Sequence, residues 1–545
     1  MKNSIILSFL TLIVFGVQAS AQCECNDTID NDGDGLIDWQ YDLGCTDSTD
    51  YTEGGLPTRT IENGWTVIEP AVDSQIYYVS SSSGDDNNTG LSPSQALRSI
   101  AAAYTLTREN YSDWILIKRG DTFFESLDIR YGRSRTEPFV VATYGSSLDR
   151  PILKTGPNNG INFVDYFKHV LITGISFYAH TRNPDSPDYV SDEGGQGFYF
   201  FRAFEDYPGH SVLLEDCVFD FYRNNVVQGG TTPTDIVLRR NIITNNYSTS
   251  SHSQGLYIAG VDSLVLEESI FDHNGWLIQA IPPFENDQSD GQATFFNHNT
   301  YFGDVSNITF KENVFLRASS MNNKFTANNG PASSYNFTID NNLYVDGEIG
   351  IGIGGNDDVY PYRFQNINIT NNVMLNIGRS QPTTRTLAWY LLVDDWDFGL
   401  IKDNLFLNQP EPVLDYTFGI MVDGVTKDII IENNTIHNLS SSWYLVDLTD
   451  NSSKQNILFS ENKICSPDYN SPLATSVSSS LSNYTFLQNW YFSSLAPSQW
   501  FTLGGSSHDF SGWQNITGET GIDSLYEFCD PARNIETYQA SIGQD

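Results

Sequence analysis

Ile367-Asn368-Ile369-Thr370-Asn371-Asn372-Val373-Met374 is one copy of a phrase that recurs from the middle of the chain to its end. Its second half is two small polar residues, an apolar residue and a larger apolar one. The same half-phrase reads Asp216-Cys217-Val218-Phe219, Arg240-Asn241-Ile242-Ile243, Glu268-Ser269-Ile270-Phe271, Glu312-Asn313-Val314-Phe315 and Asn341-Asn342-Leu343-Tyr344. After Asn371 come Asp403-Asn404-Leu405-Phe406, Asn433-Asn434-Thr435-Ile436, Glu461-Asn462-Lys463-Ile464 and Gln488-Asn489-Trp490-Tyr491. Counted at the second residue, successive copies lie 24, 28, 44, 29, 30, 32, 30, 28 and 27 apart. A period in this range marks a repeat architecture.

Short apolar runs precede the copies, among them Ile236-Val237-Leu238, Leu264-Val265-Leu266, Ile308-Thr309-Phe310 and Ile429-Ile430-Ile431. Runs this short, rich in β-branched residues and bounded by Asn, Asp and Gly, read as strands. No helical periodicity separates them, so each unit reads as one turn of a coil made of strands. An antiparallel sandwich with chance asparagines is the alternative. Asparagine tolerates left-handed backbone and bonds its own backbone in turns, which predicts a left-handed bend at the recurring Asn and a stacked ladder of amides. This pattern resembles the right-handed parallel β-helix family, the pectate-lyase-like fold. The resemblance covers residues 76–495 and implies an all-β solenoid.

Ahead of the repeats, residues 1–21 combine Lys2, an apolar run from Ile5 to Val17, and Ala19-Ser20-Ala21, the pattern of a signal peptide. Gln22 before Cys23 disfavours a lipoprotein anchor, and no other stretch is apolar for long enough to span a membrane. The expectation is a secreted protein, extracellular or periplasmic, with no membrane insertion and with its oligomeric state left open. Cysteines in an exported chain invite disulfides. Cys45 is expected to pair with Cys23 or Cys25 and Cys465 with Cys529, whereas Cys217, at a ladder position, is expected to be a free buried thiol.

Residues 22–54 are strongly acidic and hold Asp30-Asn31-Asp32-Gly33-Asp34-Gly35-Leu36-Ile37-Asp38. Asp30, Asp32, Asp34 and Asp38 fall at positions 1, 3, 5 and 9 of an EF-hand-type loop, Gly35 at 6 and Leu36 at the position that lends a backbone carbonyl. Position 12 is Tyr41 rather than Glu, with Asp42 as the substitute. The segment resembles Asp-rich calcium loops of exported bacterial proteins, and a structural Ca2+ is expected there. Residues 55–75 read as a linker. Ser92-Pro93 then signals a helix start, with Leu97, Ile100, Ala101 and Tyr104 at helical spacing, placed to cover the open end of the first coil. Residues 496–545 read as the C-terminal cap.

A net charge of −39 excludes a general nucleic-acid binder, which needs a basic footprint. An acidic polysaccharide would then require a basic groove set into an acidic body, and Arg202, Arg223, Arg239, Arg240, Arg317, Lys324 and Arg363 are the candidates to line one. The coil spacing breaks once, between Ser269 and Asn313, at an insertion from Trp276 to Thr294 that holds Pro282-Pro283, Glu285, Asp287 and Asp290. Insertions on a solenoid become loops on one face, often the binding face. His252, His273 and His298 gather around it, with His210 one coil earlier. Aligning coils by their markers stacks Tyr257, Tyr301 and Lys324 in one row, with His298 close by and Asp272-His273 on the preceding turn.

Two chemistries compete at such a place. A glycosidase needs a proton donor and a base or nucleophile, usually carboxylates; Asp272 and His298 are the first choices, with Glu285, Asp287 and Asp290 in reserve. A lyase needs a base beside a uronate and a cation to offset its carboxylate; Tyr257, His298, Lys324 and Arg317 qualify. His252, Trp276, Tyr301, Arg317 and Lys324 are expected to hold substrate. The Asn-Thr-Asp, Asp-Asp and Gly-His-Gly set of β-helical polygalacturonases is absent, as is the Lys and Arg-His-Gly arrangement of chondroitinase- and alginate-lyase-type β-helices. The phrases Asp272-His273-Asn274-Gly275-Trp276 and Asn297-His298-Asn299 resemble exported β-helix proteins of marine bacteria, among them endo-fucanases. That resemblance implies an endo-acting depolymerase of an anionic, sulfated algal polysaccharide, with hydrolysis slightly ahead of β-elimination and a non-catalytic adhesive β-helix as the third reading.

The calcium reading makes a direct prediction. Titration of Ca2+ into the full-length protein should release heat and protect residues 22–54 from protease, and Asp30→Ala with Asp34→Ala should abolish both.

Overall fold

The computed structural model describes residues 60–542 apart from 163–167, 202–209, 230–232, 278–290, 328–332, 355–363, 379–382, 410–415, 529–534 and positions 63, 292, 384, 442 and 452. The expected signal peptide, the calcium loop with Asp30, Asp32, Asp34, Leu36, Asp38 and Asp42, Cys23, Cys25, Cys45 and Cys529, Arg202 and Arg363, and Pro282, Pro283, Glu285, Asp287 and Asp290 lie outside the described residues. Chain contacts separate Met1–Thr58 from Arg59–Asp545, and the description concerns the second unit.

Three long sheets run the length of that unit, with 14, 13 and 12 strands among the described residues. They are named I, II and III in the order in which each coil visits them. One coil is the strand Phe364–Thr370 in sheet I, Val373–Leu375 in sheet II and Leu387–Asp394 in sheet III. Neighbouring coils pair in parallel, as in Ile367↔Gly399 and Met374↔Phe406, with one register shift between Pro233 and Ile236 in sheet I. This is the all-β parallel solenoid expected from the repeat. No helix among the described residues is long and apolar enough to cross a membrane.

The bend from sheet I to sheet II corrects one expectation. The left-handed residue is the one before each marker: Asp216, Arg240, Glu268, Glu312, Asn341, Asn371, Asp403, Asn433, Glu461 and Gln488 all have φ between 48° and 59°. That position tolerates Arg, Glu and Gln, so it does not explain why the next residue is Asn. The marker is Asn because it is buried and must bond in two directions. Asn372 N and Nδ2 donate to Asn404 Oδ1 at 3.0 Å, and Nδ2 also reaches Ile339 O at 2.9 Å. Its own Oδ1 accepts from Asn342 N at 2.9 Å. The relay runs through Asn313, Asn342, Asn372, Asn404, Asn434, Asn462 and Asn489. Ser269 carries it one coil earlier, and Asn241 feeds it at 3.1 Å. No other side chain of this size pairs an acceptor with a two-proton donor.

Inside the ladder, like residues stack in the core. Phe271, Phe315 and Tyr344 lie one above another with centroids 5.2 and 5.0 Å apart. Cys217 is a free buried thiol, as expected; burial pushes its pKa up to about 12. Cys465 is also buried and free among the described residues, and its expected partner, Cys529, lies outside them. On the sheet II strand Lys463–Ser466 it is Ile464 that faces the core; Cys465 lies on the outer face, in the row of Leu407 and His437.

The ends show further differences. Ser92-Pro93 opens only a 3-10 turn, Pro93–Gln95. Helix α1, Ile100–Leu106, is capped instead by Ser99, whose side chain accepts from Ala102 N. Leu97, Ile100 and Ala103 are buried there, and Ala101 faces solvent. Part of the expected linker is a hairpin, Thr60–Glu62 with Trp65–Val67. Thr66 N donates to Glu215 of sheet I, and Trp65 lies 4.2 Å from the Arg240 guanidinium. Beyond residue 496, helix α2, Phe510–Thr517, buries Phe510 and Trp513 against Tyr491 and Phe501. Glu519 closes the ladder, taking Asn489 Nδ2 at 2.8 Å. Helix α3, Ile535–Ile542, lays Tyr538 on the outer face of sheet II.

Asn372→Ala should lower unfolding stability by about 1–3 kcal/mol, because it strands buried backbone and amide groups on both neighbouring coils. Chemical denaturation of the wild-type and variant proteins measures it; an unchanged midpoint would mean that the amides contribute nothing net.

Candidate functional site

Register bears directly on the predicted row. Tyr257 pairs with Tyr301 across the strands Gln254–Ala259 and His298–Gly303 of sheet III, and Tyr301 pairs with Lys324 on the next strand, Met321–Thr326. The Tyr257 and Tyr301 rings meet edge to face at 5.4 Å, and Lys324 Nζ lies 5.2 Å from the Tyr301 centroid. His298 packs edge-on to Tyr301 at 5.5 Å. Lys324 has no carboxylate within ion-pair distance among the described residues. Burial, and then the charge of Arg385, lower its pKa. Burial raises that of the Tyr257 phenol.

His298 is buried, and its ring is oriented by the backbone. Met321 N donates to Nδ1 at 3.3 Å, which assigns the proton to Nε2. Nε2 is buried and unpartnered among the described residues. Burial, then Lys324, Arg385 and His252, hold its pKa well below the ordinary histidine value. A neutral ring with Nδ1 occupied presents a donor, so the geometry fits His298 to a hydrogen-bonding role better than to the expected one of base. His252 is exposed and stacks on Phe296 at 4.9 Å.

Asp272 lies on a different sheet, at the end of the sheet II strand Ile270–Asp272. Arg317 grips both of its oxygens, Nε at 2.8 Å from Oδ1 and Nη2 against Oδ2. The expected Asp272–His298 acid–base pair is therefore split between sheets, and its carboxylate is already engaged. Arg317, expected to hold substrate, is engaged by the same contact. His273 follows in a left-handed turn at φ 57° and stacks on Trp276 at 4.3 Å. Burial lowers the His273 pKa to about 4. Trp276 Nε1 donates to Arg317 O at 3.1 Å. In neighbouring coils the His273 position is Asn245, Asp346, Asn376, Asn408 and Asn438. The same position holds Phe221 and Arg317 in other coils, so His273 and Arg317 follow one another at this bend.

The two quoted phrases interlock. Asn274 Nδ2 donates to Asn299 Oδ1 at 3.0 Å, and Asn297 Nδ2 to Gly275 O at 2.6 Å. Asn225, Asn274, Asn299 and Asn322 form a second buried amide ladder at the bend from sheet II to sheet III. The asparagines of both phrases are thus framework, and the ladder is what positions His273 and His298.

Sequence reasoning missed Arg385 and Asp220. Arg385 pairs with the fully buried Glu348 at 3.2 Å, donates to Ser320 Oγ at 3.0 Å and stacks on Phe295. It belongs to a coil whose spacing is ordinary, so nothing in the repeat singled it out. Asp220 precedes Thr244 and Asp272 in one sheet II row. Burial pushes its carboxyl up to about 7, opposed only by the Asn245 amide at 3.0 Å. Of the other cations proposed for a groove, Arg239 is bound to Glu215 and Glu267 and Arg240 to Glu268, all on or beside sheet I. They tie the solenoid together and are not available to substrate. Arg223 is half-buried beside the strand Asn224–Gly229, with Nε unpartnered among the described residues. For His210 the structure gives only its place, at the start of the sheet I strand His210–Glu215.

No protein-family model and no curated protein sequence matches the chain. Among solved structures, it is similar to a GH136 lacto-N-biosidase from Eubacterium ramulus, with 12% identity, 83% of this chain and 67% of that one covered, and a TM-score of 0.32. It is similar to a mannuronic acid specific polysaccharide family 6 lyase from human gut microbiota, with 13% identity, 83% and 91% covered, and a TM-score of 0.34. A PL6 family alginate lyase aligns at 11% identity over 83% of this chain and 57% of its own, with a TM-score of 0.31.

The buried histidines set a pH dependence. The His273 pKa is depressed in the fold, so the unfolded chain binds protons that the native state refuses. Its stabilising share is present above the unfolded value and is lost as pH falls from roughly 6.5 toward about 4. The unfolding midpoint should drop across that window, and His273→Asn should flatten the drop.

Proposed function

We propose that this protein is a secreted enzyme that degrades an anionic polysaccharide lying along the outer face of sheet III, over Tyr257, Tyr301 and Lys324. One observation carries the reading. In a chain of net charge −39, Lys324 has no carboxylate within ion-pair distance among the described residues, and it stands beside Arg385 and a buried, donor-bearing His298. The carboxylate in that group, Glu348, is buried and taken by Arg385. Such a place attracts a polyanion and repels little of it.

These groups suit β-elimination at a uronate. The Lys324 amine, with its pKa lowered, takes the proton from the carbon next to the carboxylate. The electron pair left behind forms the carbon–carbon double bond, and the glycosidic carbon–oxygen bond breaks. The departing oxygen takes its proton from the Tyr301 phenol. His298 Nε2–H offsets the charge that builds on the carboxylate. Activity should rise with pH through the lowered Lys324 pKa, below the usual lysine range.

Hydrolysis, as by an endo-fucanase on a sulfated polymer, is favoured by a different observation. Asp220 and Asp272 share one row two strands apart, roughly 10 Å, a spacing near that of inverting carboxyl pairs. Burial raises the Asp220 carboxyl to about 7, so it still carries a proton in mildly acidic solution, and Arg317 holds Asp272 as its ion-pair partner. An acid and a base kept apart by environment are what hydrolysis needs.

Incubation with polymannuronate, polygalacturonate and a sulfated fucan separates the two. Elimination gives reducing ends together with the ultraviolet absorbance of a conjugated uronate, and Lys324→Ala should then lower turnover by about 10²-fold or more. Hydrolysis gives reducing ends alone, with Asp220→Asn the damaging change. Binding without cleavage in every case would leave the adhesive reading.

A further inference from the structure

Past Lys324 the outward row of sheet III changes character. Its next members in register are Gly352, Leu392, Met421 and Asp447, on successive strands. The last three each stand between two core residues of their strand, so their side chains face out. All three are half-buried. Asp447 lies on the strand Val446–Leu448 and has no hydrogen-bond or ion-pair partner among the described residues. Burial, and then the charge of Asp423 at the end of the adjoining strand Tyr416–Asp423, raise its carboxyl to about 6. Lys454, on the sheet I strand Lys454–Ser460, donates to Gly424 O and answers Asp423, Asp394, Asp395 and Asp450. The Tyr484 phenol is held neutral by burial and by Asp450, Asp447 and Asp423, and it donates to Thr449 O. Thr475, next in the row, carries no charge. Among the described residues, then, no cation answers Asp447.

We infer that Asp447 is a specificity-determining residue for the polysaccharide that binds at Lys324, selecting a chain that is anionic at Lys324 and uncharged four strand steps further along the row. The inference rests on the function proposed above and narrows its substrate to a sparsely charged polymer. Four steps are about 19 Å at the spacing of parallel strands, and one sugar of an extended chain advances by close to one such step. Between the two charged residues the row offers only Gly352, Leu392 and Met421, a surface with no countercharge. A sugar that brings a negative group over Asp447 therefore meets a carboxylate of its own sign, in a half-buried place where repulsion is stronger than in open water. Rejection by a built-in like charge is a common route to specificity. The sign with pH follows. Below about 6 Asp447 takes up a proton and the repulsion fades; above it the carboxylate is charged and the selection is in force.

The test measures binding by the full chain to polymannuronate, polygalacturonate and a sulfated fucan, each charged along its length, and to the trisaccharide of whichever polymer binds. Measurements at about pH 7.5 and about pH 5 bracket the carboxyl. Asp447→Asn should tighten polymer binding by roughly tenfold at the higher pH and change it little at the lower. The trisaccharide should bind alike in both proteins, since three sugars fall short of four strand steps. The wild type gives an independent reading, because its preference for polymer over trisaccharide should fall as pH rises through about 6. Asp423→Asn removes the charge that raises Asp447, so that fall should move to lower pH. Polymer binding by Asp447→Asn equal to or weaker than wild type at the higher pH would overturn the inference while leaving the proposed function in place. Equal tightening of polymer and trisaccharide would overturn it too, because the effect would then be one of overall charge. Failure of wild type and variant alike to bind any of the polymers would overturn both.

Discussion

A buried amide that must both give and receive hydrogen bonds is the constraint on which this molecule rests. From Cys217 onward the chain turns from sheet I into sheet II through two residues, and the second is sealed from water. The backbone N–H there has no strand partner of its own, so the next coil's side-chain oxygen takes it. Register between coils is therefore set by polar pairing as well as by the apolar stack within. A slip by one residue would bury an unpaired donor and acceptor at every turn.

The same device recurs at the other bend, and there it serves the site. Asn225, Asn274, Asn299 and Asn322 hold the turn in which His273 and His298 sit, and both histidines keep a ring nitrogen buried and unpartnered among the described residues. The rigid ladder supplies the position, and burial supplies the neutral imidazole. Charge follows a parallel division. Arg239, Arg240, Arg317 and Arg385 are each paired with a nearby carboxylate, which leaves the cationic character of the sheet III face to Lys324 among the described residues. An acidic body can in this way carry a local basic patch without scattering cations over its surface.

The repeat made the solenoid and the Tyr257–Tyr301–Lys324 row legible, because a parallel stack held in register turns sequence spacing into spatial neighbours. What the spacing could not convey was which sheet a residue ends on and what it already touches. Asp272 and His298 are near in the coil count yet occupy different sheets, and the Arg317 that engages Asp272 comes from the following coil. Arg385 lies two coils beyond Lys324, in a unit of normal length, so only the folded chain brings it to the row. The asparagines flanking His298 looked like chemistry because they sat in a distinctive phrase, and they are ladder. Ser99 displaced Ser92 as the helix cap because the chain between them makes a single 3-10 turn before it can begin α1.

The main ladder also has a direction. Each marker's backbone N–H goes to the amide oxygen of the following coil, while its Nδ2 also reaches back to a carbonyl of the coil before, so it is the backbone donors that point toward the C-terminus. Such a relay can end only on a group that accepts and gives nothing back. Glu519 is that group, collecting Asn489, Gly521 N and the Tyr491 hydroxyl on its two oxygens. A chain that has not yet reached Glu519 carries a dangling donor at its growing edge, whichever coil that is. Completion of the solenoid is thus a vectorial event, sealed by one carboxylate near the end of the polypeptide.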